Sequence, residues 1–253
     1  LNRYDGAKFT IYKHEPNNEH SLAHNFVRTV FEDSKGHLLI GTYIGIQMYD
    51  PATDNFTPLA KLEDTGETLE SNINSFIERK NGEIWVSGNV LCKLDIKDHL
   101  LTVRKVDIAV TSPGSLFEDK KQNVWMAKGE EGVYQLTPDN QLTLHLSKDN
   151  GYVKSICEDQ RGNIYVGSIR KGLFIYDKER KTFVPVDLKE KGELPVCFLY
   201  SGIPNELYIG TDGKGVAIYN IRTHEISEYK FDNNYFDSGN SKIHSILKDN
   251  SGK

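Results

Sequence analysis

The sequence predicts an all-β protein built from a repeated unit, and two observations carry this prediction. In residues 27–49, two apolar runs are joined by a Glu-Asp-x-x-Gly turn and are followed by a Gly-Thr turn and a third apolar run that ends on Tyr49. Short apolar runs separated by turn residues are typical of β-strands. The same order of features returns in residues 73–94, 113–136, 153–176 and 196–219, and it begins again at Ile243.

The spacing of the repeats predicts which all-β fold they form. The second apolar runs begin 40 to 46 residues apart, at Leu38, Ile84, Val124, Ile164 and Leu207. A period of about 40 to 45 residues that carries four strands is the signature of a β-propeller blade. We therefore predict five complete four-stranded blades, with partial blades at both ends.

The boundaries of the predicted blades follow from the strand pattern. A single propeller region covers residues 1–253, and its complete blades cover about residues 25–60, 72–106, 113–147, 152–187 and 195–230. Residues 1–12 match the end of one partial blade, and residues 242–253 match the start of a further blade. Because both ends fall inside a blade, we expect the chain to be a fragment of a larger, seven-bladed propeller.

Each strand of the repeat has its own residue pattern. The first strand keeps one small residue, which suits the crowded propeller axis, and the second strand is apolar at consecutive positions, as expected of a strand covered on both faces. The outer strands alternate and carry charge, which suits a sheet edge that faces water. The small residues are Thr29, Ser75, Ser115, Ser155 and Ser245, and the central bulky residues of the second strands are Leu39, Trp85, Trp125, Tyr165 and Tyr208.

A repeated aspartate lies in the turn between the first and second strands. It is found at Asp33, Asp119, Asp159 and Asp249. An Asp side chain accepts hydrogen bonds from backbone amides within a tight turn. Since each of these residues lies in a separate turn and cannot converge with the others, we interpret them as turn-forming and not as catalytic or calcium-binding.

The composition argues against several classes of partner and site. The 31 basic and 36 acidic residues give a formal charge of −5 and are spread along the chain, so no basic stripe indicates a nucleic acid or an anionic membrane. No apolar run approaches the roughly 18 residues that span a bilayer. Cys92, Cys157 and Cys197 are too widely spaced for a disulfide framework or a metal pair, and Cys157 takes an apolar position of the repeat, where we expect it to be buried.

A cluster of potential metal ligands lies near the amino terminus. It consists of His14, Glu15, Glu19, His20 and His24. Their spacing matches no zinc motif, and the Pro-Asn-Asn segment between them indicates an exposed loop. We therefore predict no metal site, no cofactor and no catalytic residue in this region.

The repeat resembles that of a known family. Residues 153–168 read Val-Lys-Ser-Ile-Cys-Glu-Asp-Gln-Arg-Gly-Asn-Ile-Tyr-Val-Gly-Ser, which is similar to the two-component regulator propeller repeat. The resemblance covers nearly the whole chain. It departs from the pattern at Ser87-Gly88 and Ala127-Lys128, where the Gly-Thr pair is shifted or missing, and at Gly202, which replaces the turn aspartate.

The resemblance implies a fold and a function. Such propellers form the periplasmic sensor region of hybrid two-component histidine kinases of Bacteroides-type bacteria. The family is implied to bind an oligosaccharide or another small ligand and to control the kinase, as a homodimer in the full-length protein. The resemblance also implies that this region is not itself an enzyme and does not itself contact the membrane.

We expect recognition on one end of the propeller, where the loops that lead into the first strands meet the turns between the second and third strands. Residues at these positions differ from blade to blade, and variable polar groups on a repeated scaffold are where specific binding is expected. The candidate ligand-binding residues are Tyr43, Asn74, Lys154, Arg170, Asp212, Lys214 and His244.

Two other functions are compatible with the sequence. A propeller enzyme, such as a lyase or hydrolase, would need an acid and a base that converge, for which His244 with Glu130 or Glu131 is the candidate set. A protein-interaction scaffold in the manner of WD-repeat propellers is the other alternative, although the Gly-His and Trp-Asp dipeptides of that family are missing.

Overall fold

The computed structural model describes residues 1–146, 151–188, 194–229 and 242–247 of the 253-residue chain. Within these ranges every regular element is a β-strand, and no helix is present that could cross a membrane. The chain divides into two compact units, Leu1–Gly114 and a second unit that begins at Ser115. Each unit is described by itself.

The first unit contains a two-stranded sheet and two larger sheets. The two-stranded sheet is β1 (Asn2–Tyr4) and β2 (Phe9–Ile11). Blade 1 consists of β3 (Val27–Glu32), β4 (Leu38–Thr42), β5 (Ile46–Asp50) and β6 (Asn55–Phe56), and blade 2 consists of β7 (Lys61–Leu62), β8 (Ser75–Glu78), β9 (Ile84–Ser87), β10 (Leu91–Lys97) and β11 (Leu100–Lys105).

The second unit contains three four-stranded sheets within its described residues. Blade 3 consists of β12 (Leu116–Glu118), β13 (Val124–Lys128), β14 (Gly132–Leu136) and β15 (Leu142–Leu146). Blade 4 consists of β16 (Val153–Glu158), β17 (Ile164–Ser168), β18 (Gly172–Asp177) and β19 (Thr182–Pro185). Blade 5 consists of β20 (Val196–Ile203), β21 (Glu206–Thr211), β22 (Val216–Asn220) and β23 (Ile226–Glu228).

The predicted β-propeller fold is confirmed by these sheets. In each blade the four core strands pair antiparallel with their neighbours in chain order, which is the meander that the repeat predicts. The strand that the sequence pattern did not predict is β7, which pairs parallel with β11 and gives blade 2 a fifth strand. The prediction of a larger, seven-bladed ring stays a prediction.

Apolar packing follows the strand pattern of the repeat. The second strands are buried at consecutive residues, and every residue of β9 and β17 is buried. Within the second unit, Trp125 of blade 3 packs in one cluster with Val166 and Phe183 of blade 4, and Cys157 and Tyr165 of blade 4 pack with Leu207 of blade 5. These contacts between sheets bury Trp125 and Tyr165, as the repeat predicts, whereas the equivalent Tyr208 of blade 5 is only half-buried.

Repeated polar residues also join neighbouring blades. The glutamate that ends a first strand accepts hydrogen bonds from the turn of the preceding blade: the backbone N–H of Ser34 lies 2.7 Å from Glu78 Oε2, and that of Lys120 lies 2.8 Å from Glu158 Oε2. Nearer the axis, Ser155 Oγ accepts a 3.0 Å hydrogen bond from the backbone N–H of Leu199. Ser155, the small residue of β16, therefore forms a hydrogen bond with β20, the first strand of the next blade, in addition to fitting the narrow space near the axis.

The two-stranded sheet at the amino terminus is attached to blade 1 by its polar side chains. Tyr12 Oη donates to Asp54 Oδ1 at 2.6 Å, and Arg3 Nη1 donates to the same oxygen at 2.9 Å. Tyr49 of β5 also donates to this carboxylate, at 2.6 Å. One carboxylate thus fixes residues that are about 40 to 50 positions away in the chain.

Candidate functional site

Two kinds of loop meet at one end of the blades in each unit, as the sequence predicts. The turn between the second and third strands donates a backbone hydrogen bond to the residue that precedes the first strand. This contact joins Tyr43 to Phe26 at 3.1 Å, Ile169 to Tyr152 at 2.9 Å, and Asp212 to Pro195 at 2.9 Å. We call this end of a unit, formed by these turns and the start of each first strand, its turn face.

The Gly-Thr pair of the repeat shapes the turns of this face. Thr211 Oγ1 donates to the carbonyl oxygen of Gly215 at 2.7 Å and accepts from the backbone N–H of Lys214 at 2.9 Å. Thr42 makes the same kind of brace in blade 1, with the carbonyl of Gly45 at 3.1 Å. Both threonines are fully buried, so the residues that follow them can vary while the turn keeps its shape.

On the turn face of the first unit, neighbouring first strands are linked by their side chains. Arg28 Nη2 donates to Asn74 Oδ1 at 3.0 Å, and Asn74 Nδ2 donates to the carbonyl oxygen of Pro113 at 3.1 Å. The Tyr43 ring lies 5.6 Å from the ring of His24 and is 55% exposed. Of the predicted residues, Asn74 and Tyr43 therefore lie on this face.

Sequence reasoning missed one exposed aromatic residue on this face of the first unit. Phe26 directly precedes β3 and is 58% exposed. The sequence feature that could have identified Phe26 is an aromatic residue just before the first strand. Tyr152 takes the same position in blade 4, and Asn72 takes it in blade 2. Phe26 and Tyr152 are thus equivalent exposed rings in the two units.

On the turn face of the second unit, charged residues pair between neighbouring segments. Arg170 Nη1 lies 2.9 Å from Glu130 Oε1, and Lys242 Nζ lies 2.8 Å from Asp212 Oδ2. Lys242 precedes the sixth repeat, where the repeat pattern gives no signal for it, although its partner Asp212 is one of the predicted residues. His244 is exposed and follows Ile243, whose backbone N–H donates to the carbonyl of Thr211 at 2.9 Å.

Two further predicted residues belong to this face. Lys154 is exposed at the start of β16. The charges of Lys154, Asp212 and Lys242 all affect the pKa of the buried thiol of Cys197. Burial raises the pKa of Cys197, with a further rise from Asp212 and opposite effects from the two lysines. Lys214 lies in the turn that Thr211 braces. The five candidates in the second unit therefore share its turn face.

The candidate set for a propeller enzyme has other partners here. Glu130 pairs with Arg170, and Glu131 Oε2 pairs with Lys128 Nζ at 2.7 Å. Neither of these ion pairs includes His244. A general acid and base need to reach one reacting atom, and in these pairs each carboxylate contacts a cation.

The histidines near the amino terminus have structural partners. His14 Nδ1 lies 3.0 Å from the carbonyl oxygen of Leu22, His20 Nδ1 lies 3.2 Å from that of Phe56, and His24 Nδ1 accepts from the backbone N–H of Phe26 at 3.0 Å. In the part of the chain that the structure describes, no three His, Cys, Asp or Glu side chains meet in a group that could hold a metal ion.

The repeated aspartates lie in turns, away from this face, and their contacts confirm the interpretation of them as structural. Asp119 accepts hydrogen bonds from the backbone N–H groups of Lys121 and Asn123 and from the side chains of Asn123 and Trp125, all at 2.8 to 2.9 Å. Asp159 accepts the equivalent backbone bonds. The fourth member, Asp249, lies outside the described residues.

A cleft in the first unit was not predicted. It has a volume of about 930 Å³, and its lining includes the apolar residues Ile44, Leu59 and Leu101 and the polar residues Glu15 and His99. The lining residues come from segments 14–23 and 58–68, which follow no repeat, and also from β5, the turn before it and the start of β11, which belong to the repeat. The pattern of the repeat alone therefore does not predict the cleft.

Comparison with known families supports the resemblance that the repeat showed. A model of the two component regulator propeller family matches residues 21–43 and residues 147–170. The first segment includes β3 and β4, and the second includes β16 and β17, so the matches fall on the same part of two repeats. These two segments confirm the recognition of the repeat. No curated protein matches the chain.

Comparison with solved structures shows the fold. The extracellular domain assigned to the hybrid two component system BT4673 from B. thetaiotaomicron is 18% identical over 95% of this chain and 34% of that chain, with a TM-score of 0.72. The corresponding domain of BT3049 is 17% identical over 96% and 38%, with a TM-score of 0.58. The chain thus spans about a third of the length of these domains.

Enzymes with a similar fold are also found. A catalytically inactive virginiamycin B lyase from Staphylococcus aureus, crystallised with quinupristin, is 13% identical over 91% of this chain and 75% of that chain, with a TM-score of 0.66. At these identities the likeness concerns the β-propeller fold and not the activity.

Proposed function

We propose that this chain is part of the periplasmic sensor region of a hybrid two-component regulator. The observation that carries the proposal is the pair of segments, residues 21–43 and 147–170, that match the regulator propeller family in phase with the repeat. The likeness in fold to extracellular domains of two such systems supports the proposal. The chain itself has no catalytic role in it, and the kinase belongs to the longer protein.

The ligand in this proposal is a carbohydrate that binds on the turn faces. Exposed rings such as Tyr43 and Phe26 offer flat apolar surface, and Asn74 and Arg28 on the same turn face offer hydrogen-bonding groups. A sugar presents both an apolar face and hydroxyl groups, so this combination suits it. The proposed contact residues are Tyr43, Asn74, Lys154, Arg170, Asp212, Lys214 and His244.

Signalling would follow from a difference in ligand affinity between two arrangements of the sensor region. A ligand that binds one arrangement of a homodimer more tightly shifts the population towards it. The shift is limited by the difference in affinity, so the signal needs contacts that differ between the arrangements. The residues that vary between blades on the turn faces are where such contacts belong.

A panel of oligosaccharides tests the proposal. Titration calorimetry on the chain, and on the intact sensor region that contains it, is expected to find saturable binding of one glycan class. Asn74→Ala and Lys154→Ala should each weaken that binding by about tenfold, since each removes one hydrogen-bonding group. Arg180→Gln is the matched control, because Arg180 lies in the turn at the other end of blade 4.

Two results would contradict the proposal. If no oligosaccharide of the panel binds the intact sensor region, the turn faces are not carbohydrate sites. If a glycan binds the sensor region but does not change phosphorylation of the full-length regulator, the proposed signalling role is wrong.

A further inference from the structure

The turn face of the second unit carries an excess of positive charge in a chain that is acidic as a whole. It comprises residues 128–131, 152–154, 168–172, 195–197, 211–215 and 242–244. Its basic residues are Lys128, Lys154, Arg170, Lys171, Lys214 and Lys242, and its acidic residues are Glu130, Glu131 and Asp212. Among the described residues of this face, six cations against three carboxylates give a local charge opposite in sign to the formal −5 of the chain.

The segments of this face are held together by direct contacts. The backbone N–H of Val153 donates to the carbonyl of Gly129 at 2.9 Å, and Ile169 donates to Tyr152 at the same distance. A side chain at Gly172 would lie 3.6 Å from the carbonyl oxygen of Leu194, which continues the face towards blade 5. The charges therefore lie on one connected surface and not on independent loops.

Two of the cations are held by ion pairs that are open to water. The side chains of Arg170 and Glu130 are 67% and 59% exposed, and those of Lys242 and Asp212 are 40% and 37% exposed. Such exposed pairs stabilise a fold very little. A carboxylate or sulfate of a ligand can therefore replace Glu130 or Asp212 with little loss of folding stability.

An aromatic ring lies beside the first of these pairs. Tyr152 is 44% exposed, and a side chain at Gly129 would lie 3.0 Å from the Tyr152 ring. Because Gly129 has no side chain, the Tyr152 ring can pack closely against the turn that carries Glu130. A flat ring next to an exchangeable cation suits a ligand that has both a sugar ring and an acid group.

We propose that this face binds an acidic oligosaccharide, whose carboxylates or sulfates bind Arg170 and Lys242 while a sugar ring packs on Tyr152. The inference rests on the carbohydrate-sensing function proposed above and narrows its ligand class. In this proposal Glu130 and Asp212 compete with the ligand, because they pair with Arg170 and Lys242 when no ligand is bound.

The test compares forms of the same sugar that differ in their acid groups. Calorimetry on the chain uses a galacturonic acid tetramer with its methyl ester, and a chondroitin tetrasaccharide with and without sulfate. The free acid or the sulfated sugar is expected to bind at least about tenfold more tightly than its partner, and raised salt should weaken it, because screening acts on exposed charges. The galacturonate pair tests whether a carboxylate is recognised, and the chondroitin pair tests whether a sulfate is recognised.

Charge variants give effects of opposite sign. Arg170→Gln and Lys242→Gln should each weaken the acidic sugar by about tenfold. Glu130→Gln should strengthen it by several-fold, because the competitor for Arg170 is removed. Arg180→Gln makes the same change of charge in the turn at the other end of blade 4, where it pairs with Asp177 at 3.6 Å, and should leave affinity unchanged.

Several results would overturn the inference. Equal binding of the acid and its ester, or a loss of affinity in Glu130→Gln, would show that charge does not select the ligand, while the proposed sensor function would stand. Equal binding of an oligonucleotide with the same number of charges would show a general polyanion surface. If none of these sugars binds while another glycan of the panel does, the inference fails and the carbohydrate-sensing function stands; if no glycan of the panel binds either, the function fails as well.

Discussion

At the residue scale, Asp119 shows how a repeated carboxylate can be bound by its own turn and by the strand that follows. Its two oxygens accept two backbone and two side-chain hydrogen bonds, and the residue is 5% exposed. Trp125, one of the donors, is 1% exposed, so water cannot replace the carboxylate. The sequence was enough to identify the residue as structural, since the aspartate recurs in step with the blades.

Removing this carboxylate should destabilise blade 3. In Asp119→Ala the buried N–H groups of Trp125 and Asn123 lose their acceptor, and we expect the free energy of unfolding to fall by about 3 kcal/mol. Chemical denaturation followed by tryptophan fluorescence measures the change. Asp139→Ala is the control, because Asp139 lies in an exposed turn of the same blade and should change stability by less than about 0.5 kcal/mol. Equal losses in both variants would show that burial of the turn is irrelevant.

In blade 2 the buried tryptophan of the second strand donates its indole N–H to a different acceptor. Arg79 takes the position of the aspartate, and the acceptor for the indole N–H of Trp85 is instead Glu83 Oε2, at 3.0 Å. Lys93 Nζ binds the same carboxylate at 2.6 Å. Burial acts to raise the pKa of Glu83, but the hydrogen bonds from Lys93 and Trp85 outweigh it and lower the pKa to about 2.

This shift predicts the acid behaviour of the first unit. Because the pKa of Glu83 is lowered from 4.5 to about 2 on folding, its contribution to stability is present above pH 4.5 and is lost as the pH falls towards 2. In Glu83→Gln the stability should therefore depend less on pH in this window. Urea denaturation at a series of pH values tests this, with the exposed Glu70→Gln as control. Parallel curves for wild type and Glu83→Gln would refute the assignment.

At the element scale, the glycine of the Gly-Thr pair is explained by the neighbouring blade. A Cβ on Gly41 would lie 2.6 Å from the Ile73 side chain, and one on Gly210 would lie 2.6 Å from that of Ile243. Gly167 makes the same close approach to Val196. Val196 is the first residue of β20, and Ile73 and Ile243 take the equivalent position of their own repeats, so the absence of a side chain lets adjacent blades approach.

A double-mutant cycle tests this contact between blades 4 and 5. Gly167→Ala should destabilise the second unit by about 2 kcal/mol, since the added methyl group overlaps Val196. Val196→Ala alone should also destabilise, because Val196 is fully buried. The double variant should be more stable than the sum of the two losses by at least about 1 kcal/mol. Simple additivity would show that the two residues do not compete for space.

Some elements could not be predicted from the repeat. Strand β7 is a two-residue segment that pairs parallel with β11, and its pairing depends on a loop that crosses from blade 1 to blade 2. A segment of two residues, Lys61–Leu62, has no periodicity to detect. The cleft lined in part by residues 14–23 and 58–68 was not predicted for a related reason, because these two segments carry no repeat pattern.

At the scale of the whole molecule, ligand binding and stability are coupled. A ligand that binds only the folded turn face stabilises the protein by about 2.7 kcal/mol at a free concentration of about 100 times Kd. For a protein of this size that corresponds to a rise in Tm of about 5 to 10 °C. Differential scanning calorimetry with the glycan identified above measures it. A glycan that binds in titration but leaves Tm unchanged would indicate that it also binds the unfolded chain.

The sequence by itself determined the fold class, the blade period and the roles of the repeated residues. These follow from patterns within a strand or a tight turn, where neighbours in sequence are also neighbours in space. The candidate residues on the turn face could be named from the sequence, because they are the positions at which the copies differ.

Only the tertiary structure decided which of these residues meet. The pairs Arg28 with Asn74, Glu130 with Arg170, and Asp212 with Lys242 join residues about 30 to 46 positions apart. Which side chains become partners depends on how closely adjacent blades pack, and that distance is set by buried contacts such as Gly167 against Val196. A repeat pattern places each side chain at an end of its blade, but only the packing of the next blade supplies its partner.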